Sequence, residues 1–250
     1  MIRLTKIMKQ NKALFLAYDQ GLEHGPTDFD DKNIDPNYIL DIAKRAKFNA
    51  VILQKGIVEK YYRKQAPLII KLNGKTSLID GEPIATQLCT VKEAIKLGAV
   101  AVGYTIYLGS IHEPQMLSEF ENIEREAHEH GLPVIAWMYP RGRAIKDELS
   151  RETLAYAARV GLEIGADIVK MKYNGNKNDL QWVVKSAGKT KVVIAGGTKK
   201  EEQSFLEEAK DIMEAGAAGL AIGRNIWQHP RPLEIAQKLK EIIWKRKDKR

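Results

Sequence analysis

The sequence predicts a single (β/α)₈ barrel spanning residues 1–250, and three observations carry that expectation. Eight short apolar, β-branched runs alternate with segments of helical periodicity. The runs lack the clean polar alternation of a half-solvated strand, which marks a parallel sheet covered by helices. A chain of 250 residues is also the length at which one such barrel closes. A doubly wound open sheet is the alternative built from the same alternation.

The elements follow in order. The first run, "LFLAYDQ" (14–20), leads into the loop "QGLEHGP" and a helical pattern over 36–47. The second, "AVILQKG" (50–56), is separated from the third, "PLIIKLNG" (67–74), by a short gap. The next connection, "NGKTSLIDGEPIATQ", reads as loop before a helix over 91–98. "VAVGYTIY" (100–107) precedes a helix over 114–130, and "PVIAWMYP" (133–140) precedes one over 150–164. "DIVKMKY" (167–173), a helix over 177–187, "KVVIAGG" (191–197), a helix over 200–215 and "GLAIGRN" (219–225) complete the alternation. Three helix-to-strand junctions are alike: "KLGAVAVGY", "EIGADIVKM" and "EAGAAGLAIG". Their glycines, Gly98, Gly165 and Gly216, suit the left-handed position just past a helix end.

Composition narrows the function classes. Hydrophobic content of 44% and charged content of 29% are those of a globular protein. No apolar run approaches the roughly 18 residues of a membrane span, and the opening "MIRLTKIMKQNK" lacks the apolar core of a signal peptide. Cys89 is the one cysteine, so no internal disulfide forms; cytoplasmic location is the expectation. The formal net charge is +8, but the last six residues, "KRKDKR", hold half of that excess. A solvated basic tail at 245–250 explains it without a nucleic-acid partner, and none is expected.

Barrel chemistry gathers at the C-terminal ends of the strands. There the first run ends in Asp19, with His24 in the loop beyond it. The fifth ends in Trp137, Met138 and Tyr139, followed by Arg141. The sixth carries Lys170 and Lys172, two apart, so continued strand periodicity points both inward. The seventh ends in Gly196 and Gly197, the eighth in Gly223 and Arg224. Glycines after the last two strands either make tight turns or let backbone N–H groups approach a phosphate, with Arg224 as a charged fork. The lysine pair either reaches water or a carboxylate, or supplies a Schiff-base amine. An ordinary lysine, of pKa about 10.4, keeps under about one part in a thousand as free amine at neutral pH. Burial and a neighbouring cation both lower that pKa, and Lys172 is the expected neighbour for Lys170. Tyr139 could pass a proton to or from an alcohol; Asp19 either orients a hydroxyl or caps a turn. Neither the five histidines nor Cys89 show a metal-ligand spacing, and neither a P-loop nor a dinucleotide fingerprint is present, so neither metal nor cofactor is expected.

The stretches "LAYDQGLEHGP", "LKLNGKT", "LGAVAVGYTIY", "WMYPRG", "DIVKMKY" and "AIGRNIWQ", in this order, resemble the archaeal-type class I fructose-bisphosphate aldolases over nearly the whole chain. That resemblance implies a metal-independent lyase, usually a homo-oligomer, that reversibly cleaves fructose 1,6-bisphosphate to dihydroxyacetone phosphate and glyceraldehyde 3-phosphate. It implies Lys170 as the Schiff-base lysine, Tyr139 as the proton donor with Trp137 beside it, and Asp19 as the first-strand aspartate. It further implies Gly196, Gly197, Gly223 and Arg224 around the C1 phosphate and Arg141 near the other. One departure is Gln20, where some relatives have histidine; it bears on substrate preference. The alternative within the resemblance is a related subfamily performing a transaldol reaction in an alternative aromatic amino-acid pathway, which differs in its first-strand loop; the alternative from another class is a non-catalytic barrel that binds phosphate or polyanions.

Overall fold

A computed structural model describes residues 2 and 4–244; the basic tail named above lies outside the described residues. Eight parallel strands close into a barrel: β1 (Ala13–Tyr18), β2 (Ala50–Gln54), β3 (Leu68–Lys71), β4 (Ala101–Leu108), β5 (Val134–Pro140), β6 (Ile168–Met171), β7 (Lys191–Ala195) and β8 (Gly219–Ile222). Each strand neighbours its successor, and β8 pairs with β1 to close the ring. The fold class is therefore the barrel and not the open sheet.

Helices cover the ring: α1 (Pro36–Arg45), α2 (Lys55–Tyr61), α3 (Val91–Lys96), α4 (Glu113–Glu129), α5 (Arg151–Glu163), α6 (Lys177–Ser186), α7 (Glu202–Glu214) and α8 (Pro232–Ile243). Their starts are written in the sequence. Asp35, Ser150 and Asn176 accept backbone N–H bonds at the first turns of α1, α5 and α6, and Thr90 with Glu93 forms a reciprocal capping box on α3. The three junction glycines have φ of 88°, 84° and 97° at Gly98, Gly165 and Gly216, the left-handed conformation expected of them. Two of these eight helices lie outside the sequence expectation. The short gap between β2 and β3 holds α2, whose seven residues give too few turns for a periodic pattern. The closing helix α8 packs against α7 and α1. The connection from β3 to α3 is mostly loop, pinched by a two-residue hairpin pairing Asn73–Gly74 with Thr86–Gln87.

Two apolar layers result. Residues such as Val169, Met171, Leu14 and Leu16 face the helices in the outer core. Alternate positions fill the barrel: Ala13, Phe15 and Ala17, then Ile52, Ile69, Ile135, Ile168, Val193 and Ala221. Ile7 and Met8, ahead of β1, are buried in this inner cluster and help seal its lower end. Among the described residues, no helix is long and apolar enough to cross a membrane.

Candidate active site

Period-two geometry places the residue two beyond each lower inward position at the upper mouth. Asp19 follows Ala17, Lys71 follows Ile69, Trp137 and Tyr139 follow Ile135, and Lys170 follows Ile168. All of them line one cavity of about 390 Å³ at the C-terminal end of the barrel. Register brings Trp137 opposite Lys170 on the paired strands β5 and β6. The Lys170 Nζ lies 4.9 Å from the centroid of the Trp137 ring, within cation–π range.

Lys170 is 5% exposed. Burial pushes its ammonium down to about 8; Asp19 pulls it back up, and the cation of Lys71 adds to the fall. Asp19 is itself buried, which opposes its charge, yet Lys170 and Lys71 together hold its carboxyl below the usual range. The Lys71 Nζ sits 3.5 Å from the Asp19 Oδ2. Tyr139 is half-buried in the same wall. Burial drives its phenol well upward, with Asp19, Tyr107 and Glu23 adding to the rise, so it holds its proton in the resting site.

The expected partnership of Lys170 with Lys172 is not what forms. β6 ends at Met171, which releases Lys172 from the inward alternation. Its Nζ pairs instead with the Glu148 Oε1 at 2.8 Å, at the mouth of the same cavity. The cation that acts on Lys170 is Lys71, from the opposite arc of the barrel. Its signature was present: "PLIIKLNG" carries a lysine at the end of an apolar strand just as "DIVKMKY" does.

Gly196, Gly197, Gly223 and Arg224 converge on the other side of Lys170 in barrel order, lining the cavity from the ends of β7 and β8. Gly197 has φ +64°, which favours glycine. The Gly196 N–H is taken by the Ala221 carbonyl at 3.2 Å, so Gly196 shapes the turn rather than offering its own N–H to an anion. Asn225, buried and not singled out by sequence, organises this region. Its Nδ2 donates to the carbonyls of Gly196 (2.7 Å) and Thr198 (2.9 Å), while its Oδ1 accepts from the Lys200 N–H (2.7 Å). Only the tertiary meeting of two loops gives it that role.

Arg141 follows β5 and stacks over the Tyr107 ring with 5.5 Å to the centroid. His24 lines the cavity too, but its Nδ1 is engaged by the Asp28 Oδ2 at 2.8 Å. Trp137 needs space from β4: a Cβ on Gly103 would lie 1.9 Å from the Trp137 ring. The buried polar atoms Gln20 Nε2, Trp137 Nε1 and Tyr173 OH have no hydrogen-bond partner among the described residues, and all three residues line the cavity. Among the described residues, no group of three or more His, Cys, Asp or Glu is placed to hold a metal ion.

The arrangement is a buried amine of lowered pKa, a carboxylate and a neutral phenol within one mouth, flanked by cations and glycine turns. That set suits imine chemistry on a phosphorylated carbonyl compound. Comparison with known proteins agrees. A chain from Thermoproteus tenax described as fructose-bisphosphate aldolase class 1 is 48% identical over 239 residues, covering 94% of this chain and 91% of the relative. The crystal structure of an archaeal fructose 1,6-bisphosphate aldolase superposes with a TM-score of 0.94 at 47% identity, covering 98% of both chains. Another, with the catalytic lysine covalently bound to the carbinolamine intermediate of the substrate, gives 0.93 at 47% identity, covering 96% of this chain and 98% of that one. The DeoC/LacD aldolase family matches residues 13–229, and the chain belongs to that family.

Proposed function

We propose that the chain is a class I fructose-1,6-bisphosphate aldolase in which Lys170 forms the Schiff base. The observation that carries this reading is the buried Lys170, lowered to about 8, lying in barrel order between two candidate anion sites. Arg141 follows β5 on one side; the turns after β7 and β8, with Arg224, lie on the other. A ketose with a phosphate at each end would be stretched across the amine. At a pKa of about 8, roughly one lysine in ten is free amine at pH 7.

The Lys170 amine attacks the C2 ketone, giving a carbinolamine whose hydroxyl leaves as water. Asp19, beside the amine, is placed to relay the proton this loss requires. The resulting iminium carries a fixed positive charge, and that charge favours ionisation of the neighbouring Tyr139 phenol, whose proton passes to water at the mouth and is recovered when the imine is hydrolysed. Tyr139 then takes the C4 hydroxyl proton as the C3–C4 bond breaks. The bonding electrons move into an enamine, and glyceraldehyde 3-phosphate departs. Tyr139 returns the proton to C3, and water hydrolyses the imine to free dihydroxyacetone phosphate and Lys170. Holding both phosphates aligns the scissile bond with the iminium, where positioning contributes most. Lys172 and His24 border the same mouth.

The reading extends to a cytoplasmic homo-oligomer serving glycolysis or gluconeogenesis. Its support is the buried free thiol of Cys89 and exposed apolar side chains such as Leu78, Ile79 and Trp182. Borohydride added with dihydroxyacetone phosphate should fix the substrate carbons on Lys170, read by mass on the peptide 166–176, and cleavage should persist in excess EDTA. An adduct on Lys172, or activity abolished by EDTA, contradicts the reading.

A further inference from the structure

Both arginines at the mouth are already paired with carboxylates of a single loop. The segment after β1 forms a short helix, Gly21–His24, and a tight turn, Gly25–Asp28. From the helix, the Glu23 Oε1 accepts from the Arg141 Nη1 at 3.4 Å. From the turn, the Asp28 Oδ1 and Oδ2 accept from the Arg224 Nη1 at 3.3 and 3.2 Å. Neither pair is buried deeply: Arg141 and Glu23 are 40% and 21% exposed, Arg224 and Asp28 20% and 24%. Arg141 also has the Glu148 Oε2 at 4.0 Å, and Asp28 also holds His24. A guanidinium held by carboxylates at 3.2–4.0 Å is loosely bound, and a phosphate dianion with three oxygens binds it more strongly.

We propose that Glu23 and Asp28 are exchange carboxylates for the two substrate phosphates, and thereby determine specificity for doubly phosphorylated ketoses. The proposal rests on the aldolase reading above. Without substrate, each carboxylate keeps its arginine oriented and neutralised. Each phosphate displaces one carboxylate: the C6 phosphate takes Arg141 from Glu23, and the C1 phosphate takes Arg224 from Asp28. Because both acids belong to one eight-residue segment, full displacement of the loop requires both phosphates. A neutral sugar cannot supply the charge that replaces either carboxylate, so it leaves both pairs closed. Each pair thus costs the phosphorylated substrate part of its binding energy and excludes sugars without phosphate.

Two isosteric variants separate the two exchanges. Glu23→Gln should lower KM for fructose 1,6-bisphosphate about three- to five-fold, the scale of a partly exposed ion pair, and leave KM for fructose 1-phosphate unchanged. Asp28→Asn should lower both. Unchanged or raised KM values in both variants overturn the proposal, since a purely structural loop contact gives that result. A second measurement needs no variant. In a crystal structure of the wild-type protein with dihydroxyacetone phosphate reduced onto Lys170, the Arg224–Asp28 pair should be open beyond 4 Å, with the phosphate on Arg224. An intact pair overturns the exchange. Failure of the aldolase reading is distinguishable, because the wild-type protein would then form no borohydride adduct at all.

Discussion

On four strands the inward position changes from apolar to functional within two residues: Ala17 to Asp19, Ile69 to Lys71, Ile135 to Trp137, and Ile168 to Lys170. The lower layer is packed hydrocarbon, held with the rest of the inner cluster. The upper layer is also hidden from water, with Asp19, Lys71 and Lys170 exposed by 7%, 6% and 5%, yet it carries the titratable groups. The lower layer makes the upper one possible. Apolar packing from below removes solvent from the Lys170 ammonium, and desolvation is the largest reason its pKa falls to about 8. The same closure that stabilises the barrel therefore activates the amine.

That contrast can be broken layer by layer. Lys170→Ala should cost at least about 10³-fold in kcat for cleavage, the scale seen when a covalent nucleophile is removed, with no borohydride adduct. Tyr139→Phe should cost about 10²–10³-fold in cleavage, as expected for a general acid–base, while imine trapping survives; equal loss of both would reassign Tyr139 to shaping the pocket. Lys71→Met removes a cation that penalises the protonated amine and leaves Asp19 to Lys170 alone. Both changes raise the Lys170 pKa, so turnover at pH 7 should fall roughly tenfold per unit of rise and recover as pH increases.

A lower-layer change should show the opposite profile. Ile168→Ala is expected to destabilise the fold by about 2–5 kcal/mol, read by denaturant unfolding, while kcat below the melting range falls far less than in Lys170→Ala, because an apolar cavity stays dry and Lys170 keeps its burial. Smallest of all, Lys172→Ala should change kcat/KM by no more than a few-fold, because its partner Glu148 holds it at the solvent-facing mouth. A loss as large as that of Lys170→Ala would restore Lys172 to the chemistry.

How far these layers were legible in the sequence depends on whether a residue's role is local. The alternation of strands and helices was visible because periodicity and caps such as Asp35, Thr90 and Ser150 act within a few residues. Lys170, Tyr139 and Asp19 were visible because each ends an apolar run, where a barrel puts its chemistry. Strand periodicity misplaces the partner of Lys170 because β6 stops at Met171, one residue short of Lys172. Lys71 carried the same signature but meets Asp19 across 52 positions of chain, a meeting that only closure of the ring produces. Asn225, Gly103, Glu23 and Asp28 act through tertiary contacts that leave no spacing in the sequence. The family resemblance, by contrast, implies the roles proposed for these residues but not the electrostatics around them.

The most direct test is the pH dependence of borohydride trapping with dihydroxyacetone phosphate. In the wild-type protein the trapping rate should rise with a midpoint of about 8. The midpoint should move upward in Lys71→Met, where the repelling cation is lost, and downward in Asp19→Asn, where the stabilising anion is lost. A wild-type midpoint at the ordinary lysine value of 10.5, or both variants moving in the same direction, would contradict an amine tuned by burial between Lys71 and Asp19.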